Sequence, residues 1–471
     1  EGSQGLECRN GNNIHLTIDK NVQYVAEKEL SSAVIKRKAK SGSVVVMKPD
    51  TGEILALACF PAFNPNIYTQ YPAKNYTNTA LTFCYEPGST MKAFLAAAAI
   101  ESGRVQPTTQ FFCENGAYQV ANRVVHDTHE YGTLTLAQIV KVSSNIGAVK
   151  IGYQLGFKNY HEFLTKFGFG QKTGIDLPGE SGGILRNYAA WRPIDGANAC
   201  FGQGVSVSVI QMATAFSAIA NGGTLMKPYL VKMVADPQGR VVKRFGPQPV
   251  RRVISQANSA KMIKILSEVT EEGGTATAAA IDGYQVAGKT GTSQKLDPET
   301  KQYSKRKYIS SFIGFFPAEK PKLLIFVMID EPLGQIYGGL VAGPVFRDIG
   351  RQVARYLNIM PTGIQVAQGL GTGKDAGDWS PGVRIRVKEV SESLASELAT
   401  DDGITTMPDL RGLSVRQVIR RLQGHDIKLS VDGSGWVVKQ DPSPGVPLDK
   451  VKVCSVKLSD DPDGSDVSHH Q

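Results

Sequence analysis

What this 471-residue sequence lacks narrows it first. Its longest apolar runs, Phe94 to Ile100 and Leu323 to Ile329, fall far below the roughly 20 residues a helix needs to cross a bilayer. No signal peptide opens the chain, which begins EGSQGLECRNGNNIHLTID. The expectation is a soluble protein, or one whose N-terminal anchor has been cut away. The six cysteines (Cys8, Cys59, Cys84, Cys113, Cys200, Cys454) include no C-x-x-C pair. A chain this long folds without staples, so mostly buried free thiols are expected and the redox compartment stays open. Zinc-finger spacing, an RNA-binding signature and a basic heptad region are all missing, which argues against nucleic acid as a partner. His126 and His129 in HDTH lack a third ligand and read as polar surface, so no metal site is expected there. With 41% hydrophobic and 20% charged residues the chain is globular in character. Its net charge of +9 suits an anionic partner such as a membrane surface or wall polymer, or else an inert basic surface.

Three short patterns carry chemistry. In EPGSTMKAFLAAAAIESG, Pro87-Gly88 breaks the chain and an Ala-rich helix follows as far as Gly103. Residues i and i+3 share a helix face, which brings Lys92 beside Ser89. A serine hydroxyl attacks only when a base takes its proton, and a neutral lysine can do so. Ser89 can also be a simple helix cap. A second S-x-x-K, Ser304 to Lys307, lies in a charged stretch expected to be a solvated loop. The second pattern is Ser143-Ser144-Asn145, where an asparagine can hold the lysine and a substrate amide. A serine there can relay a proton to a leaving amine. The third is Lys-Thr-Gly, which occurs twice. Lys172-Thr173-Gly174 lies among glycines in a loop, whereas Lys289-Thr290-Gly291 ends the strand-like run GYQVAGKTGTS. An edge strand of that kind can pair with an extended peptide, its threonines bonding a terminal carboxylate and Lys289 supplying positive potential. The N–H groups of Ser89 and Thr292 would then form an oxyanion hole. S-x-x-K, S-x-N and KTG in this order are a known set of marks for serine enzymes acting on D-alanyl or β-lactam carbonyls.

The surrounding pattern supplies a scaffold. Asp19 is placed to cap a helix through Asn21–Lys40, and SGSVVVMKPDTGEILALACFP reads as a hairpin. A mostly helical middle runs from about Glu86 to Val269, followed by three strand-like runs and a helix over GPVFRDIGRQVARYLNI. Strands at both ends of a helical middle predict one sheet built from the two chain ends, with helices packed on it, an α/β (α+β) fold. The segment KLDPETKQYSKRKY between two of those strands reads as a mobile, solvated loop. Length alone allows about three domains, or one large domain with an appendage. The division expected is 1–361, a linker over 362–404, a small α+β unit over 405–460 and a disordered tail over 461–471.

From Ile14 to about Leu357 the chain resembles the class B penicillin-binding proteins, on YEPGSTMK, GTLTLAQIVKVSSN, FGFGQKTGIDLPGE, GVSVSVIQMATAFSAIANGG and AGKTGTSQK in that order. MPDLRGLSVRQV and QDPSPGVPL are similar to a PASTA domain. The resemblance implies the serine β-lactamase and transpeptidase fold, and attack by Ser89 on the penultimate D-alanine carbonyl of a peptidoglycan stem peptide. It implies Lys92 as base, Ser143 and Asn145 as the proton and positioning network, and Lys289, Thr290, Gly291 and Thr292 as the strand that holds substrate. It further implies inhibition by β-lactams, no cofactor, divisome or elongation partners, and a membrane anchor with the catalytic part outside the cytoplasm. The division-associated branch is the one it most resembles. Thr292 is followed by Ser293 where the family often has alanine. A D,D-carboxypeptidase and a β-lactam receptor remain open. A β-lactamase fits less well, because no E-x-x-N lies between the second and third motifs.

Overall fold

A computed structural model describes residues 11–297, 300, 302–361, 383–386, 405–413, 415–422, 425, 427–432 and 436–459. Cys8, most of the expected linker and the expected disordered tail lie outside these. The chain divides into two compact units, Glu1–Gly363 and Ile364–Gln471, each with its own apolar core.

In the first unit, strand β1 (Asn13–Leu16) leads into helix α1 (Lys20–Lys36). Asp19 caps α1 by accepting from the N–H groups of Asn21 and Val22. Val22, Ala26, Leu30 and Val34 recur every four residues and form its buried stripe. The hairpin β2 (Ser41–Met47) and β3 (Ile54–Phe60) follows as expected.

The middle contributes α2 (Met91–Glu101), β4 (Arg123–His126), α3 (Leu136–Val142), α4 (Asn145–Leu155) and α5 (Val209–Ala220). Beyond them lie β5 (Thr224–Met226), β6 (Pro249–Arg252) and α6 (Gln256–Ser267). It is thus less purely helical than expected. Its strands are two to five residues long, too short to show a period.

The chain then returns as β7 (Ala287–Leu296), β8 (Tyr303–Phe316) and β9 (Leu323–Asp330), and closes with α7 (Gly338–Val341) and α8 (Gly343–Tyr356). The two chain ends build one antiparallel sheet in the order β7-β8-β9-β2-β3. Side chains alternate across it. Phe315 meets Phe216 of α5, while Phe312 and Phe316 meet Phe346 of α8. Helices therefore cover both faces, which is why β9 is buried throughout and apolar from Leu323 to Ile329. The segment expected to be a mobile loop is mostly strand: β7 runs on to Leu296 and β8 begins at Tyr303. Charge hid it, because its exposed positions show no apolar alternation.

Helix α2 is buried on every side from Met91 to Ile100. Phe94 stands edge-on to Phe167, Phe169 and Phe216 at 5.0–6.0 Å between ring centres. The start of α2 is thereby held rigidly beside β7, the edge strand of the sheet.

In the second unit, β10 (Val383–Arg386), α9 (Val415–Arg421), β11 (Lys428–Asp432), β12 (Trp436–Asp441) and β13 (Val453–Ser459) form an α+β body. Its sheet order is β10-β11-β13-β12, so residues from the stretch expected to be linker add a strand. No helix among the described residues is long and apolar enough to cross a membrane.

Candidate active site

Ser89 sits in a single 3-10 turn, Gly88–Thr90, immediately before α2. It is half-buried. Its Oγ lies 3.1 Å from Lys92 Nζ, as the i, i+3 spacing requires. No side-chain cap bond is made at either helical start here, so the capping alternative for Ser89 falls away.

Lys92 is fully buried, and every partner of its Nζ comes from the motifs. The amine reaches Ser143 O at 2.5 Å, Asn145 Oδ1 at 2.7 Å and Ser143 Oγ at 3.1 Å. Two of these are pure acceptors. A neutral amine has two N–H groups for them and keeps a lone pair for a hydroxyl. Burial pushes the Lys92 pKa down to about 7, against the opposing pull of Asp127.

The second motif is shaped by backbone conformation. Ser143 closes α3 in the left-handed region, with φ 64° and ψ 40°. That geometry is unusual for a residue with a side chain. It breaks what would be one helix and turns the Ser143 carbonyl toward Lys92. Asp127 secures the restart. Its carboxylate accepts from the N–H groups of Asn145 and Ile146 and, at 2.6 Å, from Ser144 Oγ. Asn145 also donates from Nδ2 to His126 O at 2.9 Å, so both ends of its amide are engaged.

Lys289 is completely buried on β7, and its Nζ reaches Ser143 Oγ at 3.1 Å. The Ser143 hydroxyl thus bridges both lysines. Burial, and then the neighbouring Lys92, push the Lys289 pKa well below the usual lysine range. Burial is the leading cause at both lysines, and repulsion between two neighbouring ammonium groups disfavours charging both at once.

Gly291 lets the Ser89 turn rest on the strand. A Cβ there would lie 3.0 Å from Pro87 O and 3.1 Å from Thr90 Cγ2. Thr290 Oγ1 pairs with Thr275 Oγ1 at 3.0 Å, and Thr292 Oγ1 accepts from Gly338 N at 3.0 Å. Both hydroxyls already serve the scaffold, so a carboxylate would have to share them.

The other Lys-Thr-Gly is built differently. Glu180 accepts from Thr173 N and Thr173 Oγ1 at 2.6 Å each, and from Gly174 N at 3.0 Å. Lys172 is exposed. The second S-x-x-K lies on the outer end of β8, where Lys305 to Lys307 are exposed and Ser304 Oγ accepts from the backbone N–H groups of Arg306 and Lys307.

Two organising residues escaped the sequence reading. Asp127 was in view only as part of HDTH. Glu86, three residues before Ser89, accepts from Gly204 N at 2.7 Å and from Tyr303 OH at 2.8 Å. Burial raises its pKa while those hydrogen bonds oppose the shift. It ties the Ser89 turn to the start of β8.

A serine served by a buried amine, beside an edge strand with a second lysine, is the equipment of a serine acyl-transfer enzyme. Comparisons with known proteins agree. Residues 42–351 match the penicillin binding protein transpeptidase domain, and residues 405–460 match the PASTA domain. A Neisseria flavescens protein named probable peptidoglycan D,D-transpeptidase PenA is 38% identical over 355 residues, covering 75% of this chain and 85% of that protein. Stage V sporulation protein D of Bacillus subtilis is 34% identical, over 96% of this chain and 66% of that protein. Other curated relatives are spanned over only about 58% to 62% of their length. A crystal structure of penicillin-binding protein 3 from Mycobacterium tuberculosis, complexed with aztreonam, superposes with a TM-score of 0.72 at 31% identity. That likeness covers 76% of this chain and 82% of the other. The chain belongs to the penicillin-binding protein transpeptidase family, and carries a PASTA domain.

Proposed function

We propose that the protein is a peptidoglycan D,D-transpeptidase that cross-links stem peptides through an acyl-enzyme on Ser89. The observation that carries this is the continuous chain of contacts from Ser89 Oγ through Lys92 Nζ and Ser143 Oγ to Lys289 Nζ, each 3.1 Å. In this reading, neutral Lys92 takes the Ser89 proton as Oγ attacks the carbonyl of the penultimate D-alanine. The N–H groups of Ser89 and Thr292 receive the oxyanion, a contribution worth roughly 10²–10³ in rate per donor. The proton returns through Ser143 to the departing D-alanine nitrogen. An amine of a second stem peptide then takes the acyl group from Ser89. Lys289, Thr290, Gly291 and Thr292 hold the terminal carboxylate, whose arrival favours the charged form of Lys289.

The same reading makes Ser89 the residue acylated by β-lactams. It divides the chain into a catalytic domain (1–361), a linker (362–404), a PASTA domain (405–460) and a tail (461–471). It places the catalytic domain outside the cytoplasm on a membrane-anchored protein, with divisome or elongation proteins as partners. Septal wall synthesis is the proposed setting. The match to the sporulation protein extends through the PASTA domain and favours a second setting, sporulation, for the same chemistry.

The test is to supply a stem peptide ending in D-Ala-D-Ala with and without an amine acceptor, and to follow products by mass spectrometry. Cross-linked product with release of D-alanine is expected. Release of free acid alone would indicate a carboxypeptidase, and no release at all would indicate a receptor.

A further inference from the structure

The first Lys-Thr-Gly copy borders a cleft that shares no residue with the acyl-transfer site. The cleft has a volume of about 110 Å3 and lies where the Lys172 loop crosses α5 and β6. Lys172 and Arg251 stand at it, over an apolar floor that includes Phe167 and Leu225. Neither cation is ion-paired among the described residues; Arg251 donates only from Nε, to Lys166 O at 2.8 Å. Thr214 of α5 also lines the cleft, and it is 4% exposed. Its hydroxyl is a buried polar atom with no hydrogen-bond partner among the described residues. Such groups are rare, because leaving one unmet forfeits its hydration with nothing in return.

The walls are fixed. Gln211 donates to Gln171 O and Gly182 O at 2.6 Å each, pinning the loop to α5. Glu180 occupies the Thr173 hydroxyl and two backbone N–H groups, leaving the Lys172 side chain as the unengaged part of the triplet.

We propose that this cleft binds a small oxyanion, a carboxylate or phosphate, with Lys172 and Arg251 supplying charge and Thr214 a hydroxyl donor. The inference stands apart from the acyl-transfer reading. The full chain is titrated calorimetrically with sodium phosphate and, separately, with sodium acetate, with ionic strength held constant by chloride. At least one anion is expected to bind saturably and at least fivefold more tightly than chloride. Phosphate alone identifies a phosphate-bearing ligand, and acetate alone a carboxylate-bearing one. Binding is expected to weaken at least fivefold in Lys172→Gln, an exposed substitution that leaves the fold intact, and further in Lys172→Gln/Arg251→Gln. Labelling of Ser89 by fluorescent penicillin is expected to stay unchanged in both. Thr214→Val is expected to melt at or above the parental temperature without anion and to bind the anion more weakly. No binding beyond that of chloride, undiminished binding in the double variant, or a lower melting temperature for Thr214→Val without anion would each overturn the proposal.

Discussion

A lysine that takes a proton from serine near neutral pH must itself be uncharged, and Lys92 reaches that state by burial in an otherwise apolar helix. The consequence is a pH dependence with a definite sign. Acylation of Ser89 should be full above the Lys92 pKa and should fall as pH drops through about 7, because protonation fills the lone pair. Stopped-flow labelling across pH 5 to 9 measures this; a flat profile would remove Lys92 as base. Asp127 supplies a second handle, since its charge opposes the shift. Asp127→Asn should move the midpoint to lower pH and weaken the start of α4, for roughly 1–3 kcal/mol of lost stability. An unmoved or higher midpoint would contradict the account. Ser89 and Lys92 were legible in the sequence because a helix converts a spacing of three into contact. Asp127 was not, because its contact with Asn145 spans 18 residues and depends on how two segments cross.

At the scale of elements, the site is the meeting of one buried helix start, one broken helix and one edge strand. The proposed function assigns the working Lys-Thr-Gly by what lies around it. Only the copy on β7 has its lysine buried against Ser143, whereas the other has its threonine tied to Glu180. Lys289→Ala should therefore reduce the acylation rate by roughly two orders of magnitude or more, while Lys172→Ala should leave it nearly intact. Equal effects in the labelling assay would mean the two copies have been misassigned. Helix α7 presses on the same strand: a Cβ at Gly338 would lie 2.2 Å from Ser311 O and 2.3 Å from Gly291 O. Gly338→Ala should displace the strand, lowering both acylation and melting temperature; a parental melting temperature with normal labelling would show that α7 is not a support. Sequence periodicity exposed the central strands, whose apolar runs are forced by helices on both faces. It missed the outer ends of β7 and β8, where exposed charged residues carry no such imprint. It also could not show that Ser143 adopts a left-handed conformation, since that is imposed by the surrounding packing.

The whole molecule has two cores, one built around α2 and the main sheet, the other around Leu410, Val418, Leu429 and Cys454. The residues proposed for acyl transfer all lie in the first. A chain ending at Pro361 should accordingly fold and label with penicillin at the parental rate, as gel fluorescence would reveal; loss of labelling would mean that the second unit completes the site. The overall plan was readable because strands at both chain ends flank a long middle, leaving few ways to bury them all in one sheet. The central claim is that Ser89 is the nucleophile. Its most direct test is to react the protein with a β-lactam, digest it and map the adduct by mass spectrometry. A single acyl adduct on Ser89 that disappears in Ser89→Ala is the predicted result, and an adduct on any other residue would contradict the account.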